Sequence, residues 1–158
     1  MGLYKIRLLD IADVERAVKG KVYPGQTIYI QVSACRRTGY EQFKRLEKEG
    51  ELESKYAVII PKIRIFPEYF QLSLENSVDE WMHRYVGTNI NIQMEAFKYL
   101  NLYIHDDLKV QENFVANIHL LDNQIKAENQ QIEWLGEVKQ YFLEKLFPGR
   151  EAEKEAKA

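Results

Sequence analysis

Residues 110–147 read VQENFVANIHLLDNQIKAENQQIEWLGEVKQYFLEKLF, a stretch with no proline and one glycine, closed by Pro148-Gly149. Within it, Ile118, Leu121, Ile125, Glu128, Ile132, Leu135, Lys139, Phe142 and Leu146 follow one another at alternating spacings of three and four. Seven of these nine positions are apolar, which is the narrow seam of a coiled coil and not the broad stripe of a globular helix. Asp106 and Asp107 stand ahead of it as N-cap candidates. A continuous helix of this length spans about 57 Å at 1.5 Å per residue. The two charged seam positions bear on how the helix pairs. In a parallel pair of copies, Glu128 faces Glu128 and Lys139 faces Lys139. With one helix reversed so that facing residue numbers sum to 267, Glu128 meets Lys139, Ile125 meets Phe142, Ile132 meets Leu135 and Leu121 meets Leu146. The charges therefore favour an antiparallel neighbour, either a second copy or a similar helix elsewhere. The alternative is a helix that packs on its own domain with Glu128 and Lys139 at the edge.

The chain ahead of this helix is built of shorter pieces. Tyr4 to Leu9 alternates as a strand does, and Ile11 to Val18 is a short helix or a second strand. Gly20 and Pro24-Gly25 are turn signals. The β-branched and aromatic run Thr27–Val32 predicts a strand, followed by a polar, basic loop from Ser33 to Tyr40. Gln42 to Glu49 is charged and predicts a short helix ending at Gly50. Tyr56 to Ile60 is a buried type of strand stopped by Pro61. Pro67 sits where a first helical residue is favoured, and the apolar positions from Tyr69 to Tyr85 give one broken helix or two short ones. Gly87-Thr88-Asn89 marks a turn, and Ile90–Ile92 and Leu100–Ile104 are short strands. The fold class expected is α+β: a mixed domain over residues 1–107, a long helix over 108–148 and a charged, frayed tail over 149–158.

Of the 158 residues, 46% are hydrophobic and 29% charged, the make-up of a soluble globular protein. No apolar run approaches the length of a membrane span, and the first residues lack the pattern of a signal peptide, so a cytoplasmic protein is expected. The single cysteine, Cys35, excludes an internal disulfide and a cysteine-based zinc site. No phosphate loop, nucleophile elbow or metalloprotease motif is present, and His83, His105 and His119 are scattered, so no catalytic residue, metal or cofactor is expected.

The net charge of −2 averages two unlike halves. Residues 1–64 hold 13 Lys and Arg against 8 Asp and Glu, and residues 65–158 hold 9 against 16. This places an anion-facing surface on an otherwise acidic protein, unless the segregation is chance. The candidates for contact with DNA are Lys19, Lys21 and Tyr23 around a glycine turn, then Arg36, Arg37, Thr38 and Tyr40 on the polar loop. Lys44, Arg84, Thr88 and Asn89 complete the set. Lysine and arginine neutralise phosphates, and arginine also reads guanine edges in the major groove; basic loops that are merely solvated are the alternative.

Several stretches resemble the specificity subunits of type I restriction-modification systems. ESKYAVIIP at 53–61 is similar to a late strand of the family's recognition domain, and FPEYF at 66–70 to its Asn-Pro-x-Tyr-Leu helix start, with Phe66 in place of the polar cap. HRYVGTNI at 83–90 is similar to the loop and strand ahead of that domain's last strand. Gln111 to Phe147 resembles the family's helical spacer, with LLDNQI at 120–125 and EKLF at 144–147. Two departures stand out. Where the family has Pro-Pro-x-x-Glu-Gln before the spacer, residues 105–111 read HDDLKVQ and keep only the glutamine, Gln111. A whole specificity subunit also has two recognition domains and two spacers packed antiparallel, and this chain has one of each, as a natural or excised half would. The resemblance implies a non-catalytic subunit that reads one half of a split double-stranded DNA site. It would dock methyltransferase subunits, and through them the restriction subunit, and would pair with a second copy or a different half. The reading from another class is a scaffold or regulatory protein of a modification complex that does not recognise DNA by itself.

Overall fold

A computed structural model of the chain describes residues 2–33, 43–87 and 91–147. It divides into two units, Met1–Val115 and Ala116–Ala158. In the first unit β1 (Leu3–Arg7) passes through a single helical turn, α1 (Leu8–Ile11), into β2 (Ala12–Arg16). There follow β3 (Val22–Tyr23), β4 (Ile28–Gln31), β5 (Lys44–Arg45), β6 (Gly50–Glu51) and β7 (Tyr56–Pro61). Helix α2 (Pro67–Trp81) runs into a π turn at Met82–Val86. A 3-10 turn at Met94–Tyr99 leads to β8 (Asn101–His105), and α3 spans Leu108–Leu146. This is the α+β architecture with a long C-terminal helix that the sequence predicts.

All strand pairings are antiparallel. The largest sheet has the order β2-β7-β4-β5, and β1-β8 and β3-β6 form two-stranded ribbons. Strand β7 lies inside because it is apolar on both faces, as a strand covered on two sides must be. Ala57 and Ile59 enter the main core with Leu8, Ile28, Ile30, Phe70, Leu74 and Phe97. Val58 points the other way into a smaller cluster with Ala17, Tyr23 and Leu52. Helix α2 presents Tyr69, Phe70, Leu74, Val78 and Trp81 to the core at helical spacing.

Two expectations need correction. The short helix expected over Gln42–Glu49 is, from Phe43 on, strand β5 and a bend. Phe43 is buried, and Leu46 exchanges backbone hydrogen bonds with Gln26 and Thr27 at 2.8 and 2.9 Å, so sheet pairing prevails over local helix preference. The strand expected at Ile90–Ile92 is absent at Asn91 and Ile92, where the Ile92 N–H donates to the Val32 carbonyl at 2.9 Å. The α2 segment is one helix whose final turn widens, and Gly87 after it takes a positive φ of 60° that favours glycine. Residues 149–158 and Thr88-Asn89 lie outside the described residues.

The start of α3 is fixed by side chains. The Asp107 carboxylate accepts the Lys109 N–H at 2.8 Å, as an N-cap does. Gln111, 2% exposed, donates through Nε2 to the His105 carbonyl at 2.7 Å and accepts the Phe66 N–H at Oε1, 2.9 Å. Phe66 is the N-cap of α2 and has no polar side chain to cap with. Gln111 thus supplies from another element the acceptor that a Glu or Gln within the helix would otherwise give. Beside it the Tyr69 hydroxyl accepts the His105 N–H at 3.0 Å and meets His105 Nδ1 at 2.8 Å. Burial pushes the Tyr69 phenol up from its usual pKa, and the His105 N–H works against that shift. Phe114 packs edge-on against the Tyr69 ring and beside that of His105.

Replacing Gln111 by leucine leaves the Phe66 N–H and His105 carbonyl without their partners. The expected cost is about 3 kcal/mol, read as a fall in the urea midpoint of the first unit with the m-value unchanged; an unshifted midpoint would show that the amide fixes nothing.

Candidate nucleic-acid interface and helix seam

The register of the four-stranded sheet sets Glu15, Val58, Tyr29 and Lys44 in one row across it, on the face of the smaller core. Lys44 is exposed on the edge strand β5. At the other edge, Lys19 is exposed on the turn leaving β2, and Lys21 reaches back to Glu15 at 2.6 Å. The hydrogen bond to Glu15 holds the Lys21 ammonium above its usual pKa, so its charge is retained. Lys44, by register, and Lys21, through Glu15, thus border one face of the sheet, and Lys19 stands exposed on the turn beyond β2. The neighbouring row, Val14, Ile59, Ile28 and Arg45, faces the main core, and Arg45 reaches Glu68 of α2 at 3.8 Å.

Tyr23 does not join this surface. It is 1% exposed, and its hydroxyl accepts the Val18 N–H at 3.0 Å. The aromatic ring beside the glycine turn reads locally as a contact residue, but the turn folds over it and makes it core. Lys21 lies over this ring, 5.0 Å from its centroid.

Arg84 belongs to a different surface. It is exposed on the π turn, paired with Glu80 at 3.1 Å, and lines a groove with Lys5, Tyr85, Tyr99 and Tyr103. Tyr85 and Tyr99 stack with centroids 4.6 Å apart and planes 8° from parallel, and Lys98 lies over Tyr99 at 4.9 Å. Lys5 lies over Tyr103, its cross-strand neighbour, at 5.7 Å. Apart from Arg84, these basic and aromatic residues were missed because strand pairing and the widened turn, not sequence proximity, bring them together.

Arg36, Arg37, Thr38, Tyr40, Thr88 and Asn89 lie outside the described residues. The described residues that flank their segments, Ser33 and Asn91, line one small cavity with Arg16, Gln93 and Met94. The Arg16 guanidinium donates to the Ser33 hydroxyl there. Among the described residues no group of three or more His, Cys, Asp or Glu is placed to hold a metal ion.

In the second unit every seam position, Ile118, Leu121, Ile125, Glu128, Ile132, Leu135, Lys139, Phe142 and Leu146, is exposed. From Ala116 to Leu146 only Val138 and Leu143 are even partly buried. No helix among the described residues is long and apolar enough to cross a membrane.

No protein-family model matches the sequence, and no curated protein does. Among solved structures, the chain matches the type I restriction-modification system S subunit from M. genitalium at a TM-score of 0.56 and 16% identity. The two share a fold. The likeness takes in 92% of this chain but 46% of the S subunit, so the chain spans less than half of that protein's length. At this identity the agreement with the S subunit lies in backbone architecture, the mixed domain with its long helix.

Changing Tyr23 to phenylalanine removes the acceptor of the Val18 N–H at the turn that carries Lys19 and Lys21. A loss of about 1 kcal/mol in unfolding free energy is expected, with faster hydrogen exchange at the Val18 amide. Unaltered exchange there would mean that the hydroxyl does not close the turn.

Proposed function

We propose that this chain is a half-length, non-catalytic DNA-specificity subunit of a type I restriction-modification system. The observation that carries the reading is the match of 92% of the chain to 46% of an S subunit, the proportion that one recognition domain with one spacer would give. Two copies, or this copy and a different half, pair through α3 in antiparallel fashion, with Glu128 opposite Lys139 and apolar residues in the other layers. Each first unit reads one half of a split site, and identical halves give an inverted repeat about a central gap. Lys19, Lys21, Lys44 and Arg84 neutralise phosphates, while Arg36, Arg37, Thr38, Tyr40, Thr88 and Asn89 supply base contacts. Methyl transfer and cleavage reside in methyltransferase and restriction subunits docked on the pair, in the cytoplasm, and the chain itself needs no cofactor. The exposed apolar seam supports the pairing, since a stripe of this length in water calls for a cover. The net negative charge of residues 65–158 favours the second reading, a scaffold or regulator without DNA recognition of its own.

Charge reversal tests the pairing. Glu128→Lys is expected to weaken the two-copy species about tenfold or more by light scattering, and adding Lys139→Glu to restore it. A double variant no better than the single one would sink the antiparallel register. DNA affinity separates the two readings: the specificity subunit binds duplex with a steep salt dependence, and Lys44→Ala lowers the slope of log affinity against log salt by about 1. Absence of salt-sensitive duplex binding would favour the scaffold.

A further inference from the structure

Pairing through the first seam leaves apolar surface on α3 uncovered. Leu120, Trp134 and Tyr141 are 67%, 59% and 56% exposed, and each stands one residue before a seam position, about 100° round the helix. With Ala127 they recur at every seventh residue, so they form a stripe along one side. Between stripe and seam run Asn117, Gln124, Gln131, Val138 and Lys145, again seven apart and uncharged up to the last. An otherwise acidic half of the chain therefore carries a strip free of acidic residues and edged with large apolar side chains. Single exposed apolar residues are ordinary, but a leucine, a tryptophan and a tyrosine in register along one stripe form a patch.

Symmetry says where that patch goes. The two-fold axis of an antiparallel pair of identical helices is perpendicular to the plane containing them, so it carries a residue to the same face of the other helix. Both copies' stripes come to one face of the pair. What fits that face is an object with the same two-fold symmetry and a strip free of acidic residues of its own, and a second pair of this chain is such an object. Set antiparallel on a copy of itself, the strip brings Trp134 opposite Gln131, Tyr141 opposite Gln124, Ala127 opposite Val138 and Leu120 opposite Lys145. The indole N–H and the phenol then meet amides able to accept them, and the lysine stem covers the leucine with its ammonium outward. No layer opposes like charges. The centre of this register lies within one residue, about 1.5 Å along the axis, of the first seam's centre, so the two axes can meet in a closed assembly. The two seams face directions about 100° apart, near the quarter turn between the neighbours of a helix in a four-helix bundle.

We infer that the stripe of Leu120, Ala127, Trp134 and Tyr141 joins two antiparallel pairs into a four-copy helical bundle. The inference rests on the pairing proposed above, and one experiment separates the two. Light scattering of the full chain over a range of concentrations is expected to show a four-copy mass at the high end, falling to two copies on dilution. Trp134→Glu is expected to stop at two copies with its helix content unchanged by circular dichroism. Leu135→Glu, on the first seam, is expected to remove the two-copy species as well. Tryptophan fluorescence gives an independent readout: Trp134 shifts to the blue as four copies form, whereas Trp81, 2% exposed, contributes a constant signal. A wild-type protein that stays at two copies with a solvated Trp134 overturns the inference and leaves the pairing intact, and one copy throughout overturns both. Capture of a methyltransferase subunit by a two-copy protein, lost in Trp134→Glu, would assign the stripe to that partner and overturn the inference too.

Discussion

The buried side-chain amide of Gln111 joins three elements at one point. It takes the N–H at the cap of α2 and gives to the last carbonyl of β8 from the first turn of α3. Each bond is directional, and the groups it satisfies would be costly to leave unpaired. Around it the Tyr69 hydroxyl, the His105 ring and Phe114 fill the remaining space with hydrogen bonds and ring contacts. The knot fixes the start of α3 on the first unit, and from Ala116 to Phe147 no described residue is buried.

The same knot sets Gln111 apart from the other residues at the start of the helix. Asp107 caps the helix with its own carboxylate, a local answer to the unpaired N–H groups there. A side chain that bridges two other elements has no such local substitute. Gln111 is therefore the residue of the helix start whose part no neighbour along the chain takes over.

Much of the architecture could be read in advance from residues whose environment is local. Tyr56–Ile60, Pro67 and the three-four spacing from Ile118 to Leu146 carry their structure in their own pattern, and each became the expected element. The failures share a cause of the opposite kind. Phe43 to Leu46 is charged enough to suggest a helix, yet its shape is decided by β4, a partner remote in sequence. Tyr23 beside Gly20 suggests an exposed contact, yet the Val18 N–H and the smaller core claim it. The Tyr85–Tyr99 stack depends on a π turn that no periodicity announces. On the candidate DNA surface, the charges of Lys19, Lys21 and Lys44 were legible, but the row that sets Lys44 across the sheet from Glu15, the partner of Lys21, appeared only through strand register.

The exposure of α3 beyond Val115 also bears on how long the protein survives. A helix of this kind derives little stability from its own backbone and most from what covers its apolar side, so its cohesion follows mass action. An unpaired chain presents thirty-odd residues of helix with bare leucine, isoleucine and aromatic side chains, the kind of substrate that quality-control proteases and chaperones engage readily. The pairing proposed above would withdraw the same residues from attack. Turnover would then be coupled to stoichiometry, with surplus copies removed and assembled ones spared.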